Sequence, residues 1–309
     1  MIVCEQLYDV LKARLPGSLV RQEEPLARRT TLRVGGCADL YVEPASEEDL
    51  ATVILLCKEA QTPWLAFGRG SNLLIRDGGI RGVVICLGPN FSAIEVAGHH
   101  LRCGAGARLK AVAAKARECA LGGLEFLEGI PGSVGGALRM NAGAMGGATF
   151  EAVTRVRFMD GDGKAHECEA AQVAAEYRSC PHFKTNMALA AVFRAAPDSR
   201  EAIARRAREF NEKRWKSQPK EPSAGCTFKN PSPTLSAGKL IEQLGLKGTR
   251  RGGAMISPVH GNFIVNDGAA TAADVLELIE LIKARAAERG VALHEEVEIV
   301  GEVREKAKD

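Results

Sequence analysis

Residues 122–147 read GGLEFLEGIPGSVGGALRMNAGAMGG, and the rest of the chain is organised around them. Nine of these residues are glycine. Glycine has no Cβ and reaches positive φ readily, so this run lets backbone N–H groups approach a ligand closely. Such a backbone suits phosphate oxygens or a flat heteroaromatic ring. The alternative is a flexible linker, but Ile130, Val134 and Leu138 lie among the glycines, where a linker would carry polar residues.

The composition is typical of a globular protein with more than one domain. The 309 residues exceed what one hydrophobic core usually supports, which predicts two or three domains. Hydrophobic residues make up 46%, charged residues make up 26%, and the net charge is +3. Because no long basic run accompanies this small charge, the sequence argues against a nucleic-acid partner.

The nine cysteines are scattered and form no CxxC pair, so neither a zinc site nor a disulfide framework is predicted. We expect most of them to be small core residues in a reducing compartment. His260 and His294 have no ligand spacing, and no metal is expected. No apolar run approaches the ~20 residues of a membrane span, and the N-terminus lacks the order of a signal peptide. We therefore expect a cytoplasmic protein with no membrane partner.

The hydrophobic pattern predicts three domains, residues 1–80, 81–195 and 196–309. Helices are predicted from amphipathic spacing and from caps such as Ser46, over residues 3–15, 47–57, 109–119, 198–215, 236–244 and 271–289. Strands are predicted over residues 39–43, 62–67, 82–87, 93–97, 101–103, 153–159, 165–168, 189–194 and 262–266, and near the C-terminus. The sequence DGDG at 160–163 predicts a hairpin.

A second glycine turn, GRGSN at residues 68–72, follows a predicted strand. It reads GxGxxL and continues extended rather than helical, so it matches a Rossmann fingerprint poorly. The absence of GxxxxGK[ST] from the sequence excludes a P-loop. The N–H groups of the turn and the side chains of Ser71 and Asn72 suit a diphosphate, although a ligand-free β-turn reads the same way. Two glycine turns in neighbouring domains favour a long dinucleotide such as FAD between them.

Seven segments, taken in series, resemble one enzyme family. They are TTLRVGGCADLYVEP from residue 30, GRGSNLLIRDGGIRGVVI from 68, GIPGSVGGALRMNAGAMGG from 129, YRSC from 177, SAGCTFKNP from 223, AGKLIEQLGLKG from 237 and LHEEVEIVG from 293. Each segment has modest specificity, but their order over nearly the whole chain is similar to the UDP-N-acetylenolpyruvoylglucosamine reductase (MurB) family, in its shorter type II form.

The resemblance implies an α+β protein with a two-domain FAD-binding fold of the vanillyl-alcohol-oxidase (PCMH) type and a C-terminal α+β substrate domain. It also implies the reaction. NADPH reduces FAD, and N5 of the reduced flavin passes a hydride to UDP-N-acetyl-3-O-(1-carboxyvinyl)-glucosamine, giving UDP-N-acetylmuramate for peptidoglycan synthesis. The implied partner is this nucleotide sugar, and we expect a monomer.

The resemblance also implies which residues act. Hydride addition leaves negative charge beside the substrate carboxylate, which requires cationic or hydrogen-bonding partners and one proton. Arg178 matches the family's arginine and would hold the enolate oxygens with its planar fork. Glu296 matches the catalytic glutamate. Glu295 would point to the opposite face of a strand, so the register decides between them, and we favour Glu296.

The family's usual serine proton donor is replaced by Cys226, in the segment GCTFKNP. A thiol of pKa ~8.5 is a better acid than an alcohol and stays mostly protonated at neutral pH. A nearby cation such as Lys229 would lower that pKa and open the thiol to oxidation. The alternative is a structural cysteine in a divergent or inactive homologue.

Two sets of binding residues follow. Those predicted to line FAD are Gly68, Arg69, Gly70, Ser71, Asn72, Leu73, Gly129, Ile130, Pro131, Gly132, Ser133, Gly135, Gly136, Asn141, Ala142 and Gly143. Those predicted to bind substrate are Tyr177, Arg214, Lys229, Asn230, Lys239 and Gln243, with Lys216 a further candidate. A solvated face is the alternative for the basic ones.

Two other functions fit parts of the sequence. One is a flavin oxidase or dehydrogenase of the same fold that acts on another alcohol or sugar; the combination of Arg178, Cys226 and Glu296 argues against it. The other is a catalytically silent nucleotide-sugar binder, which would lack flavin absorbance.

Overall fold

The computed structural model describes residues 2–304, with side chains from Glu5 onward. The helices are α1 (Ile2–Arg14), α2 (Glu47–Glu59), α3 (Leu109–Glu118), α4 (Val134–Met140), α5 (Thr149–Ala152), α6 (His182–Thr185), α7 (Arg200–Ser217), α8 (Ala237–Gln243) and α9 (Ala272–Ala287). Short 3-10 helices occupy Leu26–Arg28, Pro89–Phe91, Glu125–Gly129 and Ala170–Gln172.

The strands are short, and many hold only two to five residues. They are β1 (Leu19–Pro25), β2 (Cys37–Glu43), β3 (Trp64–Phe67), β4 (Leu73–Ile75), β5 (Ile80–Cys86), β6 (Ile94–Ala97), β7 (His100–Gly104), β8 (Leu121–Gly122), β9 (Gly143–Ala144), β10 (Gly147–Ala148), β11 (Val153–Met159), β12 (Ala165–Glu169), β13 (Met187–Arg194), β14 (Ala196–Pro197), β15 (Arg250–Arg251), β16 (Ala254–Ile256), β17 (Ile264–Asn266) and β18 (Glu298–Val300).

The chain forms two compact units, each built from three segments. The first unit comprises the chain up to Gln22, Leu40–Arg69 and Gly82–Arg214. The second comprises Glu23–Asp39, Gly70–Arg81 and the chain from Trp215 on. The division into three domains at residues 80 and 195 stays a prediction.

The first unit has two hydrophobic cores. One lies on a four-stranded sheet of order β1-β2-β5-β3, in which β3 and β5 run parallel. Helices α1 and α2 cover this sheet, and Leu11, Leu50, Ile54 and Val83 are fully or almost fully buried there. Helix α2 begins where predicted, because the Ser46 hydroxyl accepts a hydrogen bond from the Asp49 N–H at 3.1 Å.

The second core of the first unit lies on an antiparallel sheet of order β12-β11-β13-β7-β6. Its buried residues include Leu101, Val112, Leu138 and Phe193, contributed by the sheet and by α3 and α4. The predicted hairpin at 160–163 is present between β11 and β12. Helix α4, within the glycine-rich stretch, packs on this sheet through its contacts with β13.

The second unit has its own core around α8 and α9. An antiparallel sheet of order β15-β16-β17 lies with these helices, and β4 pairs in parallel with β18, Leu73 opposite Glu298. Leu74, Phe228, Ile241 and Ile279 are fully buried in this core. The segment after the 68–72 turn therefore belongs with the C-terminal part of the chain.

Most of the predicted helices and strands are confirmed, with shifts of one to three residues at their ends. The start of α7 differs, because the cap is the Ser199 hydroxyl, which accepts from the Ala202 N–H at 3.2 Å. Asp198 instead pairs with Arg206 at 2.5 Å. The helix is therefore capped at Ser199, one residue after the predicted start at residue 198.

The expectation that most cysteines are core residues is wrong for the described part of the chain. Cys57, Cys103 and Cys180 are buried, whereas Cys119 is exposed and four others, including Cys226, are half-buried. Burial raises the pKa of the Cys103 thiol to about 12. Cys4 lies outside the residues whose side chains are described.

Candidate active site

The glycine-rich stretch contains a short helix that the sequence did not indicate. Helix α4 is capped by Ser133, whose hydroxyl accepts from the Gly136 N–H at 3.5 Å. The Val134 N–H donates to Ala107 O at 2.9 Å, and the Gly135 N–H donates to Ala105 O at 2.8 Å. The expectation that these N–H groups face a ligand is therefore wrong for Val134, Gly135 and Gly136. The absence of a Cβ at Gly135 instead lets the backbone of this helix pack closely against Ala105.

Glycine allows close packing at two positions. A Cβ on Gly68 would lie 3.0 Å from Ser133 Oγ, and a Cβ on Gly135 would lie 3.1 Å from Ala105 Cβ. Gly68 and Ser133 belong to the same unit, and the structure places Gly68 next to the glycine-rich stretch. Both residues border a cleft of about 60 Å³ that is open to solvent.

The cleft has lining residues that the sequence analysis missed. They are Arg139, Phe183, Asn186, Met187 and Leu87, and they join Gly68, Ser133, Gly135 and Gly136. Phe183 and Met187 are buried core residues as well, so their apolar pattern carried no separate signal for a binding role.

The backbone N–H groups and the Asn72 side chain of the 68–72 turn have different surroundings. Among the described residues, no hydrogen bond is donated by the N–H groups of Arg69, Gly70 or Ser71. The Asn72 side chain contacts the C-terminal part of the chain, because its Nδ2 donates to Glu296 O at 2.9 Å. Its own carbonyl accepts from the Glu298 N–H at 2.9 Å. Asn72 therefore positions the segment that carries Glu296.

Arg178 lies in a tight turn of the first unit. Its φ is 57°, in the left-handed region that few non-glycine residues adopt. Its Nη2 donates to Gly143 O at 3.1 Å, and its Cζ lies 5.0 Å from the centre of the Tyr177 ring. Asn141 Nδ2 donates to Glu176 O at 3.1 Å and holds the start of the same turn. The glycine-rich stretch thus positions Arg178.

Arg214 lies beside the start of the glycine-rich stretch. A Cβ on Gly129 would lie 3.6 Å from Arg214 Nη1. Burial lowers the pKa of this guanidinium from its usual value. Arg214 was predicted to bind substrate. In the structure it lies next to Gly129, a residue predicted to line FAD.

Cys226 and Glu296 lie on two segments of the second unit that are hydrogen-bonded to each other. Thr227, directly after Cys226, accepts at its carbonyl from the Glu296 N–H at 2.8 Å and from the Val297 N–H at 3.3 Å. Before Cys226, Gly225 has a φ of +80°, which allows the sharp turn. Both side chains are half-buried.

The two neighbouring glutamates have different surroundings. Glu295 Oε1 accepts from Lys283 Nζ at 2.9 Å. Burial raises the pKa of Glu295, but the hydrogen bonds from Lys283 and from the backbone together with nearby positive charge outweigh it, so the pKa lies below its usual value. Glu295 is thus held as the ion-pair partner of helix α9, which leaves Glu296 as the candidate acid.

Residues predicted to bind substrate gather near the start of α8. The Lys229 N–H donates to His294 O at 2.9 Å, and Asn230 Oδ1 accepts from the Ala237 N–H at 3.1 Å. Lys239 lies in the first turn of α8, where its N–H donates to Ser236 Oγ at 3.3 Å. Gln243 ends that helix and is exposed. Asn230 therefore holds the helix start with its side-chain oxygen.

Two features are absent from the described residues 2–304. No group of three or more His, Cys, Asp or Glu residues in this range has the geometry of a metal site. In the same range, no helix is both long and apolar enough to span a membrane.

Comparison with known families defines the class of protein. A family model described as an FAD binding domain matches residues 38–169. A model described as the UDP-N-acetylenolpyruvoylglucosamine reductase C-terminal domain matches residues 218–300. The chain is therefore an FAD-dependent oxidoreductase with an FAD-binding part and a C-terminal part, and the predicted α+β organisation and FAD cofactor are confirmed.

Individual relatives define the family. The UDP-N-acetylenolpyruvoylglucosamine reductase of Heliobacterium modesticaldum is 46% identical over 91% of this chain and 90% of its own length. That of Geobacter metallireducens is 44% identical over 96% and 99%. The crystal structure of MurB from Thermus caldophilus superposes with a TM-score of 0.81, at 37% identity, over 91% of this chain and 99% of that one. The chain belongs to the UDP-N-acetylenolpyruvoylglucosamine reductase family, as the seven segments indicated.

The residues of the first unit fit an FAD. The cleft beside Gly68 is open, and a Cβ at Gly68 would reach into the space in front of Ser133 Oγ. Phe183 and Met187 supply an apolar wall, and Arg139 supplies a cation. A cleft that is largely apolar with a few polar groups is the usual form of a cofactor site.

Proposed function

We propose that the chain reduces UDP-N-acetyl-3-O-(1-carboxyvinyl)-glucosamine to UDP-N-acetylmuramate, a step of peptidoglycan precursor synthesis, with NADPH as the reductant. The names of the relatives and the two family models support this substrate. The observation that carries the proposal is the hydrogen-bonded pair of segments bearing Cys226 and Glu296, because one proton must be delivered to the substrate. We further propose a monomer that acts in the cytoplasm.

FAD, when bound, would supply hydride transfer between NADPH and the enolpyruvyl group. The remaining tasks fall to the protein. The Arg178 guanidinium binds the substrate carboxylate, where negative charge develops, with two parallel N–H donors. Its turn is already held by Gly143, so little reorganisation is needed.

Cys226 supplies the proton. Its S–H bond breaks, a C–H bond forms at the carbon beside the carboxylate, and the thiolate is reprotonated from solvent before the next turnover. A thiol has an ordinary pKa of ~8.5, so it is protonated at neutral pH and yields its proton more readily than serine. Glu296 assists as the acid or polarising group beside that carbon.

The binding roles are proposed on the same basis. Residues proposed to line FAD are Gly68, Arg69, Gly70, Ser71, Leu73, Gly129–Ser133, Gly135, Gly136 and Ala142–Gly143, with Asn72 and Asn141 acting through their contacts with neighbouring loops. Tyr177, Lys229, Lys239 and Gln243 are proposed to contact the nucleotide sugar. Arg214, beside Gly129, is proposed to bind a diphosphate at that edge.

Substitution of Cys226 tests the proposal. Cys226→Ser should keep measurable turnover, because a hydroxyl still carries a proton. Cys226→Ala should still let NADPH reduce the flavin but lose about 100-fold or more in reduction of the enolpyruvyl substrate, in the range of general-acid contributions. Rapid-mixing absorbance of the flavin measures both half-reactions. Cys119→Ala, at an exposed cysteine, is the matched control. Full steady-state activity in Cys226→Ala would refute the assignment.

A further inference from the structure

We propose that Asn262 is the positioning residue that sets Cys226 and Glu296 in register for proton delivery. This inference rests on the proposed function, since it concerns the same proton. Asn262 lies in the connection between β16 and β17 and is only 3% exposed. No sequence motif singled it out.

Three hydrogen bonds tie Asn262 to the two residues after Cys226. Its Oδ1 accepts from the Phe228 N–H at 2.9 Å, and its Nδ2 donates to Phe228 O at 2.8 Å. Its backbone carbonyl accepts from the Thr227 N–H at 2.8 Å. The side chain thus pairs with Phe228 as a neighbouring strand would, using both its donor and its acceptor.

The same contacts extend to Glu296. Asn262 binds the Thr227 N–H, and the carbonyl of Thr227 accepts from the Glu296 N–H at 2.8 Å. The Asn262 side chain bonds both the N–H and the carbonyl of Phe228. Phe228 in turn forms an isolated β-bridge with Glu295. Shifting the 226–228 segment would therefore shift Glu296 as well.

Asn262 is itself held from behind. Its N–H donates to His260 Nδ1 at 3.1 Å. The Ser257 hydroxyl accepts from the His260 N–H at 3.4 Å, and Ser257 is 1% exposed. A buried amide with its backbone and side chain both bonded has one orientation, which is what a positioning residue requires.

Position 262 requires an amide side chain, which can both donate and accept a hydrogen bond. Aspartate keeps the acceptor for the Phe228 N–H but cannot donate to Phe228 O, and it adds a charge at a buried position. Alanine leaves both Phe228 groups without a partner. A loss of either kind lets the 226–228 segment move, and displacement of about 1 Å at a reacting group costs about 100-fold in rate.

Half-reaction kinetics of Asn262→Asp test the proposal. We expect reduction of the flavin by NADPH to stay within about twofold of wild type, while reduction of the enolpyruvyl nucleotide sugar falls at least tenfold. Asn262→Gln, which retains donor and acceptor, should recover part of the loss. The alkylation rate of Cys226 by iodoacetamide, followed by mass spectrometry of its peptide, should change at least threefold in Asn262→Asp, a readout independent of turnover.

Asn266→Asp is the matched control. Asn266 is 8% exposed in the same unit, donates from Nδ2 to Leu32 O at 3.1 Å and accepts at Oδ1 from the Gly268 N–H at 3.0 Å. It should be destabilised similarly but keep the normal ratio of the two half-reactions. Should Asn262→Asp fail to fold, Asn262→Ser serves with the same measurements.

Equal effects of the Asn262 and Asn266 variants on both half-reactions and on Cys226 alkylation would overturn the positioning role. Cys226→Ala in the same series separates this from failure of the proposed function. If Cys226→Ala loses substrate reduction while Asn262→Asp does not, only the positioning role is wrong. If Cys226→Ala turns over normally, the proton-donor assignment is wrong, and the alkylation result alone decides whether Asn262 orders the segment.

Discussion

At the scale of single residues, Gly143 connects the glycine-rich stretch to Arg178, the residue proposed to bind the substrate carboxylate. A Cβ there would lie 2.7 Å from Gly147 O and 3.0 Å from Arg178 Nη1, so one of these groups must move. We predict that Gly143→Ala lowers kcat by about 10-fold to 100-fold, because the Arg178 fork is displaced. Steady-state kinetics measure this. Gly161→Ala, where a Cβ meets nothing within 4 Å, is the control. A wild-type kcat in Gly143→Ala would show that the Gly143 contact does not position Arg178.

His260 gives the second unit a pH-dependent stability. Burial lowers the pKa of His260, and the nearby charge of Lys247 acts in the same direction, opposed by Glu242. The folded state therefore binds fewer protons than the unfolded state, so this contribution is present above the unfolded pKa of about 6.5 and is lost as the pH falls below it. Protonation at Nδ1 would also remove the acceptor for the Asn262 N–H.

In the wild type, we expect the free energy of unfolding to fall as the pH drops from about 7 to about 5. We predict that this fall is smaller in His260→Asn. Urea unfolding at several pH values measures the slope. Burial also lowers the pKa of His182, so part of the slope remains in the variant. Identical pH profiles for wild type and His260→Asn would contradict the prediction.

The sequence indicated the proposed catalytic residues more directly than the residues that hold them. Cys226 and Glu296 stand in recognisable segments, and the choice of Glu296 over Glu295 stays a prediction, since β18 begins only at Glu298. Asn262 could not be found in this way, because a buried amide acquires meaning only through its tertiary partners. The contact of Asn72 with Glu296 could not be predicted for the same reason, since the two residues are 224 positions apart.

At the scale of elements, helix α9 depends on a carboxylate from the distant turn after β4. Asp77 Oδ1 accepts from the Ala272 N–H and Oδ2 from the Ala273 N–H, each at 2.9 Å. These are orphan donors of the first helical turn, and a negative charge is favourable there. Asp77 thus fixes the β4 segment to α9.

We predict that Asp77→Ala lowers the free energy of unfolding by about 1–2 kcal/mol, the usual effect of losing a cap. Urea denaturation measures it. Glu277→Gln, on the same helix with an exposed side chain 3.7 Å from Arg251, should change stability by less than about 0.5 kcal/mol. Equal small effects of both substitutions would contradict the capping role.

Helices with regular apolar spacing were predictable, and short elements were not. Helix α9 has a capping residue, an apolar stripe and a glycine after its end, and each was visible in the sequence. Helix α4 holds Gly135 and Gly136, which disfavour helix, and it forms because Ser133 caps it and Val134 and Leu138 are buried. Tertiary packing therefore outweighed local propensity there.

At the scale of the whole molecule, chain order did not predict which segments associate. Strand β4 pairs with β18 across most of the sequence, which places residues 70–81 in the second unit. Parallel pairing between distant strands leaves no local pattern, since each strand reads as a short apolar run. The predicted cofactor, family and α+β class did not depend on this grouping.

The central proposal is that this flavoprotein passes electrons from NADPH to an enolpyruvyl nucleotide sugar. The most direct measurement is the visible absorbance of the purified protein under anaerobic conditions, after NADPH and then after UDP-N-acetyl-3-O-(1-carboxyvinyl)-glucosamine. We predict an oxidised flavin spectrum that NADPH bleaches and the enolpyruvyl compound restores rapidly, with UDP-N-acetylmuramate formed in equal amount. A protein with no flavin absorbance, or a reduced flavin that oxygen reoxidises but the enolpyruvyl compound does not, would contradict the account.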